Sequence, residues 1–173
     1  TPMRVLDTQE GVGGEAGRIK AHQTISVKVT GHGSVPAEGV TAVALTVSAV
    51  SPRGATSITV FPKGQARPET RTLSAPWASR TVTTTTVVKL PTNGMISFYN
   101  RAAATHMGAD VIGYWPSGSS FTAVTPSRLA DTRNGKGVAE GKVHAHESVK
   151  IRMSGRNGVP DTDVEAVAVS LTA

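Results

Sequence analysis

Thr24-Ile25-Ser26-Val27-Lys28-Val29-Thr30 alternates apolar and polar side chains, and Ser148-Val149-Lys150-Ile151-Arg152-Met153-Ser154 repeats the alternation in the same phase. A period of two puts the apolar residues of each stretch on one face, the pattern of a half-buried β-strand. The two stretches lie 124 residues apart, and the same offset aligns what surrounds them. Thr1-Pro2-Met3-Arg4-Val5-Leu6-Asp7-Thr8 returns as Thr125-Pro126-Ser127-Arg128-Leu129-Ala130-Asp131-Thr132. Gly11 and Gly13 match Gly135 and Gly137, Val35-Pro36 matches Val159-Pro160, and Ala42-Val43-Ala44 matches Ala166-Val167-Ala168. Without a gap, 18 of the 49 aligned pairs are identical.

A period this long exceeds the roughly 20–50 residues of a solenoid unit and marks a domain-sized repeat in tandem. The second copy runs to Ala173, the counterpart of Ala49, so residues 50–124 occur once. The expected organisation is one complete β repeat domain over residues 1–120 and the first part of a second copy over 121–173. The chain begins at Thr1 and not at Met. The expectation is that it is cut from a longer protein.

Turn residues punctuate the rest. Strands are expected at 24–30, 40–50, 56–62, 70–74, 81–90, 95–100, 109–114 and 121–124, and in the second copy at 148–154 and 164–171. Gly31–Ser34, Pro52-Arg53-Gly54, Lys63-Gly64 and Pro116–Ser119 separate them. Asn93-Gly94, between two apolar runs, reads as a hairpin turn. With no helical period anywhere, the fold class is all-β, an antiparallel β-sandwich or barrel. The expected core is Val27, Val43, Leu45, Val47, Val60, Ile96, Phe98, Val111 and Ile112. Tyr114 and Trp115, with Phe121, are expected to plug its base.

The composition bounds what such a domain does. Charged residues are only 17% of the 173, and cysteine is absent, so the core holds the fold without disulfides. No stretch approaches the roughly 18 apolar residues that cross a bilayer, so membrane insertion is not expected. The net charge is +6. The basic residues are dispersed along the chain and build no stripe, so nucleic-acid binding is not expected either.

The repeated motif Thr-Pro-x-Arg-Leu-x-Asp-Thr-Arg, the Gly-x-Gly after it, the Ala-Val-rich strand and the closing Asp110-Val111-Ile112-Gly113-Tyr114-Trp115 carry a resemblance. The chain resembles, over its whole length, a β-rich repeat of secreted actinobacterial proteins that occurs in tandem or appended to secreted hydrolases. The resemblance implies an accessory module of the extracellular space or cell envelope. It carries no catalytic residues. At Gln9 the first copy departs from the motif, where the second keeps Arg133.

Each candidate site has a structural and a functional reading. Arg128, Asp131 and Arg133 could bind a polar ligand. The favoured reading is that Asp131, like Asp7, accepts backbone N–H groups of the following turn while an arginine pairs with it. A lone Asp is not a hydrolase dyad. Gly11-Val12-Gly13-Gly14 is not a phosphate loop, because a strand signal follows where that motif needs a helix. His144 and His146 share a strand face, and Asp161, Asp163 and Glu165 alternate, but the first copy keeps neither set. No metal site, no catalytic residue and no cofactor is expected. Aromatics are 4% of the chain. Trp77, in Ala75-Pro76-Trp77-Ala78, is the one candidate for a sugar-stacking platform, and a ring packed over the core edge is the favoured alternative.

The expected function is therefore a non-catalytic structural or adhesive module of a secreted or cell-surface protein. The alternative is a module that binds a glycan or an anionic cell-wall polymer. The second copy's strands are expected to be completed by residues 50–124 of the same chain or of a neighbour, the latter giving self-association.

Overall fold

The computed structural model describes residues 1–171, and those residues contain eight strands and no helix. Thr172 and Ala173 lie outside the described residues. The strands are β1 (Met3–Asp7), β2 (Thr24–Lys28), β3 (Val40–Val50), β4 (Thr56–Pro62), β5 (Leu73–Ala75), β6 (Val82–Lys89), β7 (Met95–Asn100) and β8 (His106–Pro116). They make two four-stranded antiparallel sheets, ordered β1-β8-β3-β6 and β2-β7-β4-β5, packed as a β-sandwich. Every connection except β4–β5 passes from one sheet to the other.

The side-chain period explains the core. Along β3, Val43, Leu45, Val47 and Ala49 point inward and are buried, while Thr46 and Ser48 between them are only half-buried. Val27, Val60, Ile96, Phe98 and Val111 are buried as expected. Ile112 is not: it is 46% exposed. Val111 and Ile112 are adjacent, and two neighbours on a regular strand cannot both face one core. The register confirms the reason, because Leu45 sits opposite Val111 and Ala44 opposite Gly113, leaving Ile112 as the extra residue of a bulge. A bulge in β1 works the other way. Arg4 faces Asp110 and Leu6 faces Ala109, so Val5 is the extra residue and both Val5 and Leu6 are buried.

Three further expectations are corrected. Asn93-Gly94 does turn the chain, with Gly94 N–H on Pro91 O at 2.8 Å and Met95 N–H on Asn93 Oδ1 at 2.9 Å. It joins β6 of one sheet to β7 of the other, so it makes no hairpin: turn chemistry reverses a chain without choosing its lateral neighbour. Residues 121–124 form no strand. Tyr114 is exposed, and Trp115 stacks on Phe121 at 4.5 Å between ring centroids, outside the core. The sandwich is closed instead by a buried polar knot. Asn100, fully buried, donates to Ile19 O, Lys20 O and Ala103 O, and its Oδ1 accepts from Thr56 Oγ1 at 2.6 Å.

The chain divides into two compact units, Thr1–Ala123 and one beginning at Val124. The strands expected in the second unit are absent. Residues 148–154 and 164–171 have no strand conformation, Val149 and Val169 are exposed, and Ile151 and Val167 are half-buried. Residues 50–124 do not complete the second copy here, because the strands among them that would flank it, β6, β7 and β8, are paired with β1, β2 and β3.

Candidate functional site

The residues that recur in both copies build the same local structure twice. Asp7 and Val12 exchange backbone hydrogen bonds of 3.0 and 2.9 Å, and Asp131 and Lys136 exchange bonds of 2.9 and 3.1 Å. Gly17 N–H reaches Thr8 O at 2.7 Å, and Gly141 N–H reaches Thr132 O at 2.8 Å. The glycine at the tight point is needed for space as well as for its positive φ. A Cβ on Gly13 or Gly137 would strike the carbonyl oxygen of Val5 or Leu129, the two being counterparts. Even the left-handed residue is shared: His22 has φ 61° and His146 φ 66°.

The carboxylates sit inside these turns. Asp7 Oδ1 accepts the N–H groups of Gln9 at 2.9 Å and Glu10 at 3.4 Å, and Oδ2 accepts from Arg4 Nη1. Arg4 also pairs across the sheet with Asp110 on β8, Nε to Oδ1 at 2.7 Å. Burial pushes the Asp7 carboxyl up, but the two backbone donors and the arginine outweigh it and hold its pKa below the ordinary value. In the second copy Arg133 occupies the position of Gln9. It grips Asp131 with Nε at 2.9 Å and Nη2 at 2.7 Å, its own N–H adds a bond of 3.1 Å, and Arg128 Nη1 adds one of 2.9 Å. The Arg133 side chain, then its N–H, then the two guanidinium charges hold Asp131 well below the usual carboxylate range. A carboxylate so engaged has no lone pair aimed at solvent for a substrate proton. Its chemistry is that of a turn lock.

Arg128, Asp131 and Arg133 are thus brought together as the sequence suggested. Trp77 belongs to the other unit. It lies on the loop between β5 and β6, which Ser79 N–H pins to Pro52 O at 2.7 Å. Trp77 is 60% exposed, so it does not pack over the core edge, and the Arg80 guanidinium stands 5.6 Å from its ring centroid. β5 ends at Ala75, and Pro76 and the left-handed Ser79 (φ 61°) flank the ring on the loop that follows.

Two clusters escaped the sequence reading. Arg67 lies over the Tyr99 ring at 3.8 Å, and the Tyr99 hydroxyl is 3.0 Å from His22 Nδ1. In the second unit, Arg128, Lys136 and Arg156 line a shallow depression without a carboxylate among its lining residues. Both bring together residues distant in sequence, and neither has a local motif. Among the described residues no three His, Asp or Glu side chains gather to hold a metal, and Asp161 instead pairs with Arg152 at 2.6 Å. No family model matches the chain, and no curated protein matches it.

Proposed function

We propose that the chain is a non-catalytic structural or adhesive module of a secreted or cell-surface protein, spacing or displaying a neighbouring domain outside the cell. The observation that supports this reading is the state of Asp7 and Asp131. They are the acidic groups common to both copies, and their oxygens are taken up by arginine and backbone donors. General acid–base work needs a carboxyl that exchanges a proton near the working pH, and both of these are held below the ordinary carboxylate value. A spacing module needs a rigid fold and an undemanding surface, and a sandwich with a continuous apolar core supplies the first.

A second reading, a module binding a glycan or an anionic wall polymer, is favoured by the exposed Trp77–Arg80 pair and by the basic depression at Arg128, Lys136 and Arg156. A pull-down on purified cell wall at low and high salt separates the two. A spacing module stays in the supernatant at both. A polymer binder is retained at low salt and released at high salt, because its ion pairs are screened. Salt-sensitive retention lost in Trp77→Ala or Lys136→Ala would replace the first reading by the second.

A further inference from the structure

The order of strands in the two sheets has an unusual property. The lateral pairs are β1·β8, β8·β3, β3·β6, β2·β7, β7·β4 and β4·β5. None of them joins β1, β2 or β3 to one another. The first three strands are each inserted separately against strands drawn from residues 50–123. This explains why the second copy forms its turns but not its strands. A turn is closed by residues a few positions apart, and residues 125–171 carry all of them. A strand needs a lateral partner, and the counterparts of β1, β2 and β3 are not partners for each other.

The same property makes the two copies interchangeable. At the buried positions of β2, Ile25 and Val27 become Val149 and Ile151; at those of β3, Val43, Leu45 and Val47 become Val167, Val169 and Leu171. Ile19, buried before β2, becomes Val143. Apolar residues thus replace apolar residues of similar size in β2 and β3, a class of change that cores tolerate; in β1 Val5 becomes Leu129, while the fully buried Leu6 becomes Ala130, a large-to-small change that makes the second frame the less stable of the two. Val149, Val169 and Leu171 are exposed in the present arrangement, at 45%, 58% and 90%. Their burial is a driving force not yet used.

We propose that residues 125–173 are a second, competing set of the first three strands, so that the chain encodes two mutually exclusive sandwiches, 1–123 and a permuted one over 50–173. In the second, every lateral pair of the first is kept, with the strand set of the first copy released and that of the second in its place.

The chain geometry allows this exchange within one molecule. β1 pairs antiparallel to β8, with Met3 opposite Val111 and Asp7 opposite Gly108. The counterpart of Met3 is Ser127, so the second copy needs only to turn back along β8. β8 continues to Pro116, and a turn already follows it, with Ser119 N–H on Pro116 O at 3.2 Å and Gly118 at φ 82°. Ten residues, 117–126, then return over a five-residue length of strand, about 17 Å. Ten residues reach about 33 Å when extended, so the connection is ample. Exchange requires removing β3 from between β8 and β6, which dismantles one sheet. The choice of frame is therefore made during folding, and the copy synthesised first takes the partners.

The test uses the full chain and places a charge in one strand set at a time. Leu45→Asp buries a carboxylate between β6 and β8 and closes the first frame; Val169→Asp does the same to the second. Leu45→Asp is expected to keep a cooperative melt, as a monomer, with the protease-resistant core moved from 1–123 to 50–173. Val169→Asp keeps the core at 1–123, and the double variant has no cooperative melt. Val27→Asp, with Ile151→Asp as its counterpart in the other sheet, is expected to repeat the pattern. The proposal is overturned if Leu45→Asp and Val27→Asp each lose the cooperative melt as the double variants do. It is equally overturned if the rescued species is a dimer, which would make the exchange a property of two chains.

Discussion

Asp7 shows how a single carboxyl closes a turn and an edge at once. Its oxygens take the N–H groups of Gln9 and Glu10 and the Arg4 guanidinium, which continues to Asp110 on the next strand. Asp7→Ala leaves those donors without their acceptor, and a loss of about 1–3 kcal/mol of stability is expected, read from the midpoint of urea unfolding. The pH dependence has a definite sign. The folded carboxyl titrates below its ordinary 3.8, so its contribution is complete above that value and fades as the pH falls further. The difference between wild type and Asp7→Asn should thus be full at pH 7 and shrink on acidification below about pH 4. Trp77 is the opposite kind of residue. With Trp77 60% exposed, Trp77→Ala should change the stability read from urea unfolding by less than about 0.5 kcal/mol, so any loss of wall binding in that variant reports on recognition and not on folding.

Among the elements, β7 ends on the residue with the most to lose. Asn100 satisfies three carbonyls and one hydroxyl in a site closed to water. Asn100→Ala should destabilise by about 3 kcal/mol, since the Ala103 carbonyl and the Thr56 hydroxyl lose their side-chain partner in a buried site, while Ile19 O and Lys20 O keep only the N–H groups of Thr105 and Gln23. The measurement is the thermal midpoint, with Asp7→Ala as the reference for a surface turn. This knot was not legible in the sequence, where Asn100 stands far from Ile19 and Thr56. The Arg4–Asp110 pair was hidden for the same reason. What was legible was local. Alternation revealed β2 and β3, and the Asp-turn-glycine pattern revealed the Asp7 and Asp131 turns in both copies. Alternation also predicted strands at 148–154 and 164–171, where none forms, because a period of two states which side chains share a face and says nothing of what lies beside the backbone. Ile112 failed for a related reason. An apolar run does not show where a bulge slips the phase by one residue.

At the scale of the whole molecule, one distinction separates the two copies. The second copy has the sequence of the first three strands and lacks, within this chain, a second set of the residues they pair with. Its turns form and its strands do not. The direct measurement is amide hydrogen exchange on the full chain, resolved by segment. Residues 40–50 and 106–116 should be protected to the level of global unfolding, while 148–154 and 164–171 exchange faster by orders of magnitude, like open loops. Protection at 164–171 equal to that at 40–50 would contradict the account, because it would mean that the second copy's strands are paired alongside those of the first.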